Sequence, residues 1–179
     1  MALEPARRRV WARLAILPLA ILVSVAIVSA SSAGTHAAGA PRCDVNDEHL
    51  TYFPAAEGAA GSTFEKFRIR HRGKRPRCSL RGYARVQWLG KKGKVLPIKN
   101  HHDHTFKVRT RVLRKDRPVW FVVRHPSADP DTGRACPARV RKVRVYLPHH
   151  SKPLLIKGFD PVRFCDKGSR ITPFLRKAG

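Results

Sequence analysis

Acidic residues are scarce in this sequence: 12 Asp and Glu stand against 37 Lys and Arg, a formal net charge of +25 over 179 residues. That imbalance excludes a neutral surface laced with ion pairs and favours partners that carry phosphate or carboxylate groups. Catalytic signatures are missing as well. There is no Gly-x-Ser-x-Gly elbow, no phosphate-cradling glycine loop and no His-Glu-x-x-His helix. The four cysteines include no Cys-x-x-Cys pair, the spacing most typical of structural zinc. A 3.6-residue apolar period is hardly found beyond residue 40, so helices are not expected to carry the fold. The few acids are scattered, and Asp129-Pro130-Asp131 sits in a turn-rich loop where it is expected to shape turns or bind a cation loosely. The chain is therefore read as neither an enzyme nor a cofactor protein.

The long apolar run lies at the start. Arg7, Arg8, Arg9 and Arg13 precede an uncharged stretch from Leu14 to Ala30, and small residues follow. These are the parts of a secretory signal. Cleavage is expected after Ala30, with Ala38-Gly39-Ala40 a second acceptable site. The run approaches the roughly 20 residues that a membrane span needs, so an uncleaved anchor helix is the alternative. In both cases the arginines stay cytoplasmic, and the rest of the chain is expected to be secreted or held at the extracellular face of the cell membrane. Residues 1–40 are set apart as signal peptide or anchor with a short linker. Residues 41–179 form one domain, long enough for a core.

Alternation organises that domain. Phe67 and Ile69 alternate with Lys66, Arg68 and Arg70, so a strand over Thr63 to His71 has one apolar and one charged face. Gly73-Lys74-Arg75-Pro76 ends it, and a first strand over Cys43 to Phe53, ending in Leu50-Thr51-Tyr52-Phe53, precedes it. Arg85 to Leu89 is a third, with Val86 and Trp88 on one face, and Gly90-Lys91-Lys92-Gly93 turns into Val95-Leu96. Thr105 to Leu113 reads as a fifth strand, in which Phe106, Val108, Thr110 and Val112 alternate with Lys107, Arg109 and Arg111 and set the register. Pro118 to Arg124 follows, then a loop over His125 to Pro137 and a seventh strand over Arg139 to Leu147. Leu154-Leu155-Ile156 and a segment around Ile171 to Leu175 complete the chain. Short strands at this spacing predict an all-β sandwich of about seven to nine strands.

From Lys66 to Arg117 there are 19 Lys or Arg and two acids, Asp103 and Asp116. Residues 1–40 carry four arginines and Glu4, so their removal takes three from the net charge and leaves +22. Cations at alternate strand positions are expected on solvent faces. The anion-contacting set is read as Lys107, Arg109 and Arg111 with Arg139, Arg141 and Arg144. Arginine grips phosphate or carboxylate by paired hydrogen bonds, and lysine acts as a point charge. The expected partners are anionic cell-envelope polymers or lipid headgroups, and a merely solvated basic surface is the competing account. Nucleic acid would need exposed aromatic rings for base stacking. Only Trp120, Tyr146 and Phe159 fit that need, because Trp88 and Phe67 suit the core, so specific nucleic-acid binding is not expected. His101-His102-Asp103-His104 concentrates metal-ligand types, with His149-His150 in another turn. Adjacent strand residues face opposite sides, and Lys99 and Lys107 would repel a cation. The cluster is read as a polar loop without a dedicated metal, a weak adventitious copper or nickel site being the alternative.

Four cysteines in an exported chain predict two disulfides, with three pairings open. The run Gly58-Ala59-Ala60-Gly61-Ser62, then Cys78-Ser79-Leu80-Arg81-Gly82-Tyr83, Cys136-Pro137, Val143, Val145, Leu147-Pro148 and Cys165, resembles the secreted actinobacterial family called domain of unknown function 4232. The likeness covers nearly all of the chain beyond residue 43 and departs from the family pattern at Ala84, where proline is usual. It implies an immunoglobulin-like β-sandwich, exported or tethered at the envelope, with no known catalysis. Its cysteine order implies Cys43 with Cys78 and Cys136 with Cys165. A tryptophan on the strand after a cysteine is a feature of such cores, so Trp88 and Tyr83 are both assigned to the core. The expected function is a non-enzymatic binding module at the envelope. The alternative is a structural or accessory domain that docks to another envelope protein.

Overall fold

The computed structural model describes residues 39–54, 61–156, 158–165 and 168–178. The signal and anchor readings fall outside these residues. Twelve strands follow in chain order: β1 Glu48–Phe53, β2 Ser62–His71, β3 Arg77–Leu80, β4 Arg85–Leu89, β5 Asn100–His102, β6 Arg111–Arg114, β7 Val119–Pro126, β8 Ala138–Val140, β9 Lys142–Tyr146, β10 Leu154–Leu155, β11 Val162–Phe164 and β12 Ser169–Ile171. They build a five-stranded sheet in the order β1-β2-β7-β12-β5, a three-stranded sheet β10-β9-β4, and the pairs β11-β8 and β3-β6. The fold is all-β, and no helix among the described residues is long and apolar enough to cross a membrane.

Period-2 patterning explains the five-stranded sheet. Phe67 lies opposite Tyr52 on β1 and Phe121 on β7, and Ile69 lies opposite Leu50 and Val119, so directly paired residues share the inner face. The Phe67 and Phe121 rings stack 4.8 Å apart. Trp88 on β4 is buried against Phe164, 4.3 Å between rings, and its Nε1 donates to Asn100 Oδ1 at 2.8 Å. Each large apolar side chain so buried stabilises the fold by about 1.5–3 kcal/mol. One hydrophobic cluster draws on all four sheets. Disulfides join Cys43 to Cys78 and Cys136 to Cys165, the pairing that the family order implied.

Three strand readings are corrected. The first strand starts at Glu48 rather than Cys43, because the Asp44 side chain accepts from the Asn46 N–H and caps a 3-10 turn over Val45–Asp47. The segment expected to run from Thr105 to Leu113 is strand only over β6, and in the opposite register. Val112 is 44% exposed and Leu113 is fully buried. The cause is its partner. On β3, Cys78 is held inward by its disulfide and faces Leu113, while Arg111 faces Leu80. Phe106 and Val108 lie before β6, both exposed. The expected strand over Arg139 to Leu147 is two. β8 pairs with β11, β9 pairs with β4 and β10, and Arg141 between them donates its backbone N–H to Leu89. Buried Val140 and Val143 differ in parity, so one uninterrupted strand could not turn both inward.

The inner face also holds two carboxylate–imidazole pairs. His71 Nδ1 lies 2.8 Å from Glu48 Oε1 and His71 Nε2 lies 2.7 Å from the Arg75 carbonyl. Glu65 Oε2 accepts from the Tyr52 hydroxyl at 2.6 Å, and Glu65 Oε1 lies 3.3 Å from His125 Nε2. Burial pushes the Glu48 carboxyl from 4.5 up to about 7, the His71 contact opposing it only in part. Its Oε2 is buried without a hydrogen-bond partner, as suits a neutral carboxyl. Burial pulls His71 down, but the bonds to Glu48 and to the Arg75 carbonyl outweigh it and hold the imidazole above its ordinary value. The folded state thus binds more protons than the unfolded chain. Glu48's contribution to stability is complete below 4.5 and is lost as pH rises through about 7. His71 contributes with the same sign. Melting curves are therefore expected to show a lower Tm at pH 8 than at pH 5, with the difference shrinking in Glu48→Gln. An equal pH dependence in that variant would show that the pair does not set it.

Candidate functional site

The outer face of the five-stranded sheet carries the side chains that alternate with the core. Register sets Phe64, Arg124, Arg170 and His101 in one row across β2, β7, β12 and β5. Neighbouring strands lie about 4.8 Å apart, so an imidazole and two guanidinium groups stand abreast. Arg124 and Arg170 have no carboxylate at ion-pair distance among the described residues. Four residues along, Arg68 on β2 lies opposite Trp120 on β7. Its guanidinium sits 4.7 Å from the Phe53 ring centre and 5.5 Å from Trp120, and its buried Nε has no hydrogen-bond partner. Aromatic faces hold that charge in place.

Two cavities follow this face, and a third adjoins the second from the β6 side. The first, about 510 Å³, is lined by His101, His102, His104, Arg124 and Arg170. The second, about 580 Å³, is mainly apolar and shares Arg124 with the first. The third, about 510 Å³, holds Arg111, Arg114 and Arg117, and shares Arg176 and Lys177 with the second. Shared walls make them one basic trough. Gly168 anchors its first end: at φ +90° a Cβ here would stand 2.5 Å from the Lys99 carbonyl, which accepts from the Ser169 N–H. Gly168→Ala is expected to cost about 1–3 kcal/mol and to part β5 from β12. A fall in the urea midpoint at constant m-value checks it, and an unchanged midpoint would contradict it.

The cations chosen from sequence are not brought together on one strand face. Lys107 and Arg109 lie outside any strand, exposed. Arg111 on β6 is half-buried and donates through Nε to the Phe174 carbonyl at 2.9 Å. Arg139 lies on β8, Arg144 on β9 in a different sheet, and Arg141 between them. The histidine cluster is only partly a loop: His101 and His102 lie on the edge strand Asn100–His102, parallel to β12, while Asp103 and His104 follow it in a turn. Tyr83 is half-buried rather than core, stacked on His102 at 3.9 Å. Tyr146 is buried beneath Arg85, whose guanidinium lies 4.0 Å from the ring centre, so it offers no stacking platform. His149 lines a separate cavity, and His150 Nε2 sits 2.9 Å from the Cys43 carbonyl. Cys43, Glu48 and Cys78 lie close together, but both sulfurs are spent in one disulfide and cannot act as thiolates toward a metal.

A family model described as a domain of unknown function, DUF4232, matches residues 43–174, from the first cysteine to the buried Phe174. The chain belongs to the DUF4232 family. No curated protein and no solved structure matches it. For this DUF4232 chain the match takes in both disulfides, the whole core and most of the trough, while Leu175, Arg176 and Lys177 fall just beyond it. The row of Arg124, Arg170 and His101 was hidden from sequence reasoning because it joins three strands distant in sequence. The alternation through β7 could have placed Arg124 outward, opposite Val123.

Proposed function

We propose that this DUF4232 protein is an exported, non-enzymatic binding module of the bacterial cell envelope, folded as an immunoglobulin-like β-sandwich, whose basic trough contacts anionic polymers or lipid headgroups. The observation that carries this reading is the row of His101, Arg170 and Arg124, aligned by strand register and unopposed by acids among the described residues. Groups fixed by a sheet lose little entropy on engaging a repeating anion, which favours binding. Support for the sandwich comes from Trp88, buried on the strand after a cysteine and packed on the residue before Cys165. Export is supported by the two disulfides, which persist in oxidising compartments, and by the basic and apolar run at the start of the chain. Actinobacterial origin follows the resemblance alone.

Docking to another envelope protein is the competing reading. It would use exposed apolar side chains, and Leu155 and Val95 are 68% and 49% exposed. They lie at opposite edges of the three-stranded sheet and do not make one patch, so the exposed Phe106, Val108 and Val112 are the apolar residues such docking would use. Sedimentation of the protein with envelope preparations, intact or stripped of anionic polymers, decides between the two. Binding is expected to the intact material above the level seen with heparin or nucleic acid. Equal binding to stripped material would overturn the reading.

A further inference from the structure

The second and third cavities differ in character and meet at the C-terminal residues. The second is walled by Phe64, Phe106, Val122 and Leu175. Of the polar groups in its wall, Asp103, Thr105 and Thr172 are engaged with one another or with the backbone, while Arg124, Arg176 and Lys177 bring cations to it. The Asp103 carboxylate accepts from the Thr105 N–H at 3.0 Å and from its hydroxyl at 2.6 Å, and the Thr172 hydroxyl accepts from the Val122 N–H at 3.0 Å. Phe106 is 43% exposed on its rim. The third cavity is ringed by Arg111, Arg114 and Arg117, and the Arg111 bond to the Phe174 carbonyl fixes the plane of that guanidinium. Arg117 faces a surface carboxylate, Asp116, at 3.7 Å. Arg111, Arg114, Arg176 and Lys177 have none at ion-pair distance among the described residues.

We propose that these two cavities are one site for a single-chain anionic amphiphile, an alkyl phosphate, with its chain in the apolar chamber and its head group among Arg111, Arg114, Arg176 and Lys177. The proposal rests on the anion-binding reading and names the ligand class for part of the trough. The complementarity is two-sided. A free phosphate would leave the chamber's apolar wall in water, and a neutral hydrocarbon would leave the cations unneutralised. The chamber's volume, about 580 Å³, lies within the range of small-molecule sites. Each methylene buried there strengthens binding about fourfold. Arginine supplies paired donors to the phosphate oxygens.

Titration calorimetry on the full chain tests it, with dodecyl phosphate below its micellar concentration, inorganic phosphate, polyphosphate and the neutral dodecyl maltoside as probes. Residues 1–38 are common to every variant, so only the component removed by substitution reports the site. Dodecyl phosphate is expected to bind about a hundredfold or more tighter than inorganic phosphate. Arg176→Glu with Lys177→Glu should weaken it more than about tenfold, and Phe106→Ser should weaken it severalfold; all three side chains are exposed and their loss should leave the melting curve in place. If inorganic phosphate binds as tightly as dodecyl phosphate, or if dodecyl maltoside does, the amphiphile site is overturned. Polyphosphate binding that survives Phe106→Ser beside that result would leave the broader anion reading standing. If no anion binds, both readings fall.

Discussion

Glu65→Ala is expected to destabilise the protein by about 2–6 kcal/mol, since two buried polar groups each lose a partner at about 1–3 kcal/mol apiece. Glu65 is 1% exposed on β2, between β1 and β7, and ties both neighbours to itself: the Tyr52 hydroxyl of β1 donates to it at 2.6 Å and His125 of β7 lies 3.3 Å away. Burial, then the Glu65 hydrogen bond, hold the Tyr52 hydroxyl far above its ordinary range, so it stays a donor. Alanine leaves that hydroxyl and that imidazole buried with one partner fewer each, and opens a cavity beside Phe67. Glu65→Gln keeps an acceptor for one of them and should cost less. Denaturant unfolding of both variants checks the order. Wild-type stability in Glu65→Ala would mean that the inner face does not depend on this contact. The effect reaches the trough, because β7 carries His125 inward and Arg124 outward on adjacent positions.

The second large effect is on binding. Arg124→Glu with Arg170→Glu is expected to weaken binding to an anionic envelope polymer by about thirtyfold or more. Two attractive contacts of about 1 kcal/mol each are lost and two repulsive ones gained. Both side chains are exposed, so stability should change little. The matched control is Arg139→Glu with Arg141→Glu, which removes the same charge from two cations outside the trough. Co-sedimentation of the two variants separates a located site from a diffuse charge. Equal losses would show that net charge alone is read by the polymer.

The fold was legible where alternation met a partner of matching pattern. Phe67 and Ile69 sit inward as their spacing required, and Trp88 is buried. Alternation failed where pairing decided the face instead. Phe106, Val108 and Val112 repeat as a strand should, yet β6 takes its register from Cys78 on β3, and Val112 turns outward. Polar residues inside the core were legible but missed. Continuing the period of Phe67 and Ile69 in both directions puts Glu65 and His71 on the same buried face. The candidate site was less legible, because local sequence shows how many cations a strand has and not which strands lie side by side. Arg124 and Arg170 are 46 positions apart in the numbering and directly opposed in the sheet. The short strands β5 and β12 that align them carry too few residues to announce a period.

The most direct test of the account is the salt dependence of wild-type binding to the isolated anionic polymer, from about 50 mM to about 500 mM salt, a range over which charge screening shortens from more than 10 Å to under 5 Å. The account predicts a steep, linear fall of log affinity with log salt, and a shallower fall in Arg124→Glu with Arg170→Glu because fewer counterions are released. Affinity that does not change with salt would contradict it and return the protein to apolar docking.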